Sequence, residues 1–407
     1  MIDASQSTLN MFVLKVAARC NLNCSYCYVY NKADSTWKQR SALMSDQTFE
    51  ASLQRIRTHC LLTGQRDITL LFHGGEPCLL GSKRFDAWCN KASQLLNGVA
   101  ATHFMIQSNG TLLNENWAHV LKKHQVRIGI SMDGPRERHN MFRVDHKGRG
   151  SYDQVAQGLT VLCNAQIPFT LLSVIPLGSD PLSIHHHFAS LGCNSISYIL
   201  PDFSHDTITP VFQEYGPTPC ADFLIPIFDD WWFNGTLDMR ITNFWNMARL
   251  IMGGKSGIDS LGNKPLRFVF IETDGDIEGL DVLRVCKESM ASTGLNVYGN
   301  DFFDITKSNV LHTQAIFRGM PLPNACQNCP EHNTCGGGYL PHRYLSKHGF
   351  NNASIWCKDL LKLFTHIRER LEISVEETNL RQQTFQRQTQ DEEQQITWHS
   401  VPELATL

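Results

Sequence analysis

The chain has 407 residues, 42% of them hydrophobic and 18% charged. That is enough for one large domain with a smaller one beside it. No apolar run reaches the roughly eighteen residues of a membrane span, the opening MIDASQSTLN lacks the layout of a secretory signal, and a net charge of −3 without a basic block argues against a nucleic-acid partner. The expected setting is therefore cytoplasmic with no membrane partner, where fourteen cysteines point to metal ligation or redox chemistry rather than disulfides.

From residue 11 to about 200, short apolar β-branched runs alternate with amphipathic stretches. MFVLKVA (11–17), DITLLFH (67–73), HFMIQS (103–108), RIGISM (127–132), FTLLSVI (169–175) and SISYIL (195–200) read as strands, and their continuous apolar character suits parallel strands buried on both faces. The clearest helix starts at Ser45 as N-cap and repeats apolar residues at Phe49, Leu53, Ile56 and Cys60. Six β/α units in series predict an α/β fold with a partial (β/α)6 barrel, short of the eight units that close one. Four polar loops follow the first four strands and so share one face: the cysteine stretch, His73-Gly-Gly-Glu-Pro77, Gln107-Ser-Asn-Gly-Thr111 and Ser131-Met-Asp-Gly-Pro135.

Residues 217–252 read as helices covering the sheet, and 267–283 as a hairpin turned at Asp274-Gly275. A second cysteine group, CQNCPEHNTCGGGY, follows, closed by Cys357. From about 375 a Gln-rich, weakly apolar run reads as a frayed helix or disordered tail. Cys60, Cys89 and Cys163 have helix-core spacing, and His185-His186-His187 reads as a solvated helix surface.

In ARCNLNCSYCYVYN (18–31), Cys20, Cys24 and Cys27 are spaced C-x3-C-x2-C. Four cysteines would saturate a zinc ion or a [4Fe–4S] cluster, whereas three leave a position open. With Tyr26 before the last cysteine, and the motif after the first of six β/α units, the chain resembles the radical S-adenosylmethionine (SAM) enzymes. The resemblance implies a [4Fe–4S] cluster whose open iron binds SAM. It also implies an external electron donor of flavodoxin or ferredoxin type, and a 5′-deoxyadenosyl radical that takes hydrogen from an unactivated carbon. Cofactor contacts are implied from Tyr26, from Gly74 and Gly75, which admit close approach, and from Glu76, which accepts from the SAM ammonium. Ser108 and Asn109 would reach the ribose and carboxylate. Ser131 and Asp133 would line the reaction chamber, Asp133 as a catalytic candidate, and Arg143 would pair with the SAM carboxylate. Each loop also has a plainer reading, as a turn, a cap or a surface arginine.

The spacing Cys326-x2-Cys329-x5-Cys335, then Cys357, resembles the SPASM domain of radical SAM enzymes that modify ribosomal peptides and sulfatases. Zinc is the alternative occupant. Full SPASM domains carry seven cysteines and two auxiliary clusters. Here Leu280 and Tyr339 stand where two of the cysteines would, and Cys286 alone cannot replace the missing set. One auxiliary [4Fe–4S] cluster is expected, with Gly336-Gly337-Gly338 allowing close backbone approach. Asp281 matches an aspartate that acts as base in sulfatase-maturing relatives, with burial expected to raise its carboxyl pKa; a helix N-cap is the alternative. Asp274 and Asp276 read as turn residues.

The implied organisation is a radical SAM core at 11–215, a helical connection at 216–265, a SPASM-like domain at 266–365 and a tail at 366–407. CGGGYLPHRY and GFNNASIWCKDL resemble the subgroup that forms three-residue cyclophanes in ribosomally synthesised precursor peptides. The expected function is therefore a peptide maturase. The alternatives are a thioether-forming maturase, an anaerobic sulfatase-maturing enzyme, or a zinc or iron–sulfur protein without catalysis. About ten residues precede the first strand, so the peptide's leader is expected to bind the enzyme body or a separate partner.

Overall fold

Six of the apolar runs become parallel strands. In the computed structural model, which describes residues 8–235, 239–307 and 311–384, they are β1 (Met11–Ala17), β2 (Asp67–Gly74), β3 (Ala101–Ser108), β4 (Arg127–Ser131), β5 (Phe169–Val174) and β6 (Ser195–Ile199). Four further strands of two to five residues follow: β7 (Arg240–Ile241), β8 (Phe268–Ile271), β9 (Asp276–Glu278) and β10 (Ser292–Asn296). All belong to one sheet in the order β10-β9-β8-β1-β2-β3-β4-β5-β6-β7. Pairing is parallel from β8 through β1 to β7, and antiparallel between β8 and β9 and between β9 and β10.

The local signals explain the crossovers. Ser45 caps the helix Asp46–Thr63, its Oγ accepting from Thr48 N at 2.9 Å. Phe49, Leu53, Ile56 and Cys60 on that helix are fully buried, and Phe49 stacks on Trp88 of the next helix with centroids 4.0 Å apart. Helix Pro219–Phe233 covers the far side, and its first turn is held by Asp359, which accepts from Cys220 N at 2.7 Å and Ala221 N at 2.9 Å. Among the described residues no helix is long and apolar enough to cross a membrane.

Several expectations change. The segment expected as a SPASM-like domain, 266–365, also adds β8–β10 to the core sheet, because the free edge of β1 pairs with β8 from Met11↔Phe268 to Leu14↔Ile271. The hairpin turns at Gly275, φ +91°, as expected, but β9 stops at Glu278 and a 3-10 helix, Asp281–Val285, follows. Cys163 is exposed rather than packed, one position beyond the buried Leu162. His185 is buried, with Nδ1 3.1 Å from the Tyr198 hydroxyl, while His186 stays exposed beside Asp230. Order continues past 375 as a helix over 375–384, with Thr378 buried against Arg368; the rest of the expected tail lies outside the described residues.

Candidate functional site

The loops after β1 to β4 meet at the sheet's carboxyl end. Gly75 N donates to Ala17 O at 2.6 Å and Glu76 N to Arg19 O at 3.0 Å, drawing the glycine loop against the cysteine loop. A Cβ on Gly75 would stand 1.9 Å from the Tyr30 hydroxyl oxygen and 2.3 Å from Arg19 O, so only glycine fits. Asn109 joins the third loop: its Nδ2 donates to Asn21 Oδ1 at 2.9 Å and to Cys20 Sγ at 3.6 Å, while its Oδ1 accepts from Thr111 N and Oγ1. Leu22 N also donates to Cys20 Sγ, at 3.4 Å. Hydrogen bonds of this kind to sulfur tune iron–sulfur ligands, so the surroundings of Cys20 fit a cluster.

Burial pushes the thiol of Cys20 up to about 12, with Glu76 adding to it, and that of Cys24 to about 11 against the opposing Arg143; burial also raises Cys27. Any metal bound here must therefore displace protons.

Glu76 is fully buried. Its Oε1 accepts from Cys78 N (2.9 Å) and Ser108 Oγ (2.8 Å), and its Oε2 from Asn109 N (2.7 Å). The expected ammonium acceptor is thus already a tie between the second and third loops. Ser131 Oγ accepts from Gln107 Nε2 at 3.1 Å. Asp133 is saturated: Oδ2 takes Arg143 Nε at 2.8 Å and the Tyr26 hydroxyl, and Oδ1 takes Arg143 Nη2 at 3.3 Å and Val174 N at 3.2 Å. With four acceptor positions filled, Asp133 orients Tyr26 and Arg143 and is a poor catalytic candidate. Arg143, expected to meet a SAM carboxylate, spends two of its nitrogens on Asp133, and its guanidinium lies 5.4 Å from the Tyr26 ring. Burial would lower its pKa, but Asp133, Tyr26 and Cys24 together hold it above its ordinary value.

Asp281 begins the 3-10 helix after β9 and does not act as an N-cap. Its Oδ2 accepts from the Tyr28 hydroxyl at 2.7 Å and forms an ion pair with Lys15 Nζ of β1. Burial alone would raise this carboxyl, as expected from the sequence, but Lys15, with the hydrogen bond from Tyr28, brings it below the ordinary value. The sequence reading missed Lys15, and the available signal was a lone charge in the apolar strand MFVLKVA.

Cys326, Cys329, Cys335 and Cys357 line one pocket with Glu331, His332, Gly337 and Ser354. Its empty volume is about 280 Å3, counted to the open mouth. The three glycines 336–338 all have positive φ, and a Cβ on Gly336 would meet Gly262 O at 2.4 Å. Arg343, a second residue missed from the sequence, lies buried beneath them, donating to Gly336 O, Gly338 O and Pro321 O at 2.6–3.1 Å. Burial lowers its pKa, while Cys335 and Cys326 act the other way. A buried guanidinium beside four thiols suits an anionic group in the pocket. Leu280 and Tyr339, which the resemblance placed where two further cysteines would stand, line an adjacent pocket with Asp259, Lys264 and Arg343. Among the described residues no three His, Cys, Asp or Glu side chains converge tightly enough for a single metal ion.

The Radical SAM superfamily profile matches residues 14–189. A cysteine-type anaerobic sulfatase-maturating enzyme of Clostridium perfringens strain 13 is 23% identical over 380 residues, covering 89% of this chain and 97% of that one. Among solved structures, native anSMEcpe with bound AdoMet superposes with a TM-score of 0.75 at 21% identity, over 89% of this chain and 98% of that one. SuiB of Streptococcus suis bound to its precursor peptide SuiA gives 0.57 at 13% identity, over 86% and 76%. These likenesses show the α/β fold with its SPASM-type C-terminal part.

Proposed function

We propose, since this chain belongs to the radical SAM superfamily, that it is a peptide maturase joining an aromatic ring to the β-carbon of a residue two positions later in a ribosomally synthesised precursor. Cys20, Cys24 and Cys27 would hold the [4Fe–4S] cluster, with SAM against Gly74, Gly75, Asn109, Ser131 and Arg143; together these cofactors supply a radical that abstracts hydrogen. The domain limits inferred from the sequence remain part of this proposal, with the 266–365 region sharing the core sheet.

Cys326, Cys329, Cys335 and Cys357 would hold one auxiliary [4Fe–4S] cluster, and Arg343 offsets its charge. Forming the crosslink releases a proton from the ring, and Asp281 is the carboxylate set to take it. The observation that carries the reading is the placement of Asp281. It accepts from Tyr28, the residue following Cys27, and its chain neighbour Leu280 lines the pocket next to the one the four cysteines line.

A second reading has specific support in the sequence likeness to sulfatase-maturating enzymes of the cysteine and serine types: oxidation of such a side chain in a peptide to an aldehyde. Anaerobic co-expression with the candidate precursor separates the two. A crosslink is expected as loss of two hydrogens from a cysteine-free peptide, with no backbone fragments between the joined residues and no reaction with a hydrazide. A hydrazide-reactive product overturns the crosslink in favour of aldehyde formation, and a strict need for a substrate cysteine favours a thioether. Failure to form 5′-deoxyadenosine under reductant removes the enzymatic reading altogether.

A further inference from the structure

Lys15 is an unusual occupant for the middle of a central strand. Its side chain is 4% exposed, and its ammonium pairs with Asp281 Oδ2 and lies 3.3 Å from the Tyr28 hydroxyl. The ring centroids of Tyr28 and Phe270 stand 5.4 Å and 5.5 Å away. Burying an ammonium is costly unless it is paired, and an apolar side chain of similar length would fill the same space. The cation is therefore better explained by what it does to its partner. Both donors load one oxygen of Asp281. Among the described residues no hydrogen bond is made to the other oxygen, Oδ1.

We propose that Lys15 is a positioning residue for Asp281: with Tyr28 it pins Oδ2 and thereby presents Oδ1 to the peptide. This rests on the proposed function. In the crosslinking step the substrate's β-carbon gives a hydrogen atom to the deoxyadenosyl radical, and the carbon–carbon bond forms to the ring. The ring then loses one electron to an iron–sulfur acceptor and one proton to Oδ1. The other groups facing Asp281 are His73 of β2, Arg284 on its own 3-10 helix, Asp259 and Tyr339. His73 sits opposite Lys15 in the register of β1 and β2, and burial, then Lys15, pushes it down to about 3, so it is neutral. The ammonium in direct contact with the carboxylate is thus that of Lys15.

The test uses iron-loaded enzyme and precursor peptide, measuring modified peptide per 5′-deoxyadenosine from pH 5.5 to 8.5. For Lys15→Met, in which a buried carboxylate loses its counter-charge, the carboxyl is expected to rise by about 3–5 pH units, which carries an acid limb into the assayed range and lowers the ratio at neutral pH up to about tenfold. Lys15→Arg is expected to restore most of the ratio. A Lys15→Met enzyme with the wild-type ratio and profile overturns the assignment. If Lys15→Met does not load iron, Lys15→Gln is read in the same assay with the same expectation, and failure of both to load marks Lys15 as a folding residue and overturns it too. Wild-type enzyme that forms 5′-deoxyadenosine but crosslinks no peptide defeats the proposed function instead, so the two failures are distinguishable.

Discussion

Gly75 shows how little freedom the loop after β2 has. A methyl group there would collide with Arg19 O, which is backbone and cannot rotate away, as well as with the Tyr30 hydroxyl. Gly75→Ala is expected to destabilise the chain by about 1–3 kcal/mol, as overpacking does, and to lower iron content; thermal unfolding and iron analysis check both. The glycine pair was visible in the sequence because its chemistry is local. Lys15 was not, because its partner lies in a loop far along the chain, and a raised carboxyl was the natural expectation for Asp281 from burial alone. Arg343 was hidden for a similar reason: its partners are backbone carbonyls of the glycine run, which no residue pattern displays.

At the scale of elements, strands β1–β6 and the Ser45-capped helix were legible because each carries its own periodicity and boundary signals. Strand β7 was not, since two residues give no period to read, nor was β10, whose STGLN is mostly small and polar rather than apolar and β-branched. The pairing of β8 with β1 is a long-range choice that local pattern does not encode. Around that junction sits a buried charge network. Arg284 meets Glu272 at 2.8 Å, Asp34 at 3.4 Å and Glu278, while Arg40 meets Asp274 at 2.5 Å and Glu278 at 2.9 Å. It ties the Asp281 helix to the stretch following the cysteine loop, and it gives Asp274 and Asp276 ion-pair roles beyond the turn expected of them. Arg284→Met removes the cation that Glu272, Asp34 and Glu278 share, leaving Arg40 to serve Glu278 and Glu272, and is expected to cost about 3–5 kcal/mol. Chemical denaturation measures this, and a loss below about 1 kcal/mol would contradict a structural role for the network.

Across the whole molecule, burial lowers four histidines, His59, His139, His185 and His312, to about 4. Each folds as neutral imidazole; the unfolded chain takes up the protons near the ordinary value of about 6.5. Their contribution is thus fully present above that value and lost as pH falls from about 6.5 towards 4. Denaturant midpoints are expected to hold steady from pH 8 to 7 and to fall steadily below 6.5; a flat profile down to pH 5 would contradict it.

The edge that β8 completes has a consequence in time. β1 leads directly into the three cysteines, but its second neighbour appears roughly 250 positions later. At about 5–20 residues per second of synthesis, the nascent chain spends tens of seconds with that edge bare and Lys15 without its counter-ion. Loading of iron at the first cysteine loop is therefore expected to wait for the synthesis of β8 and Asp281 rather than to follow the emergence of the motif itself.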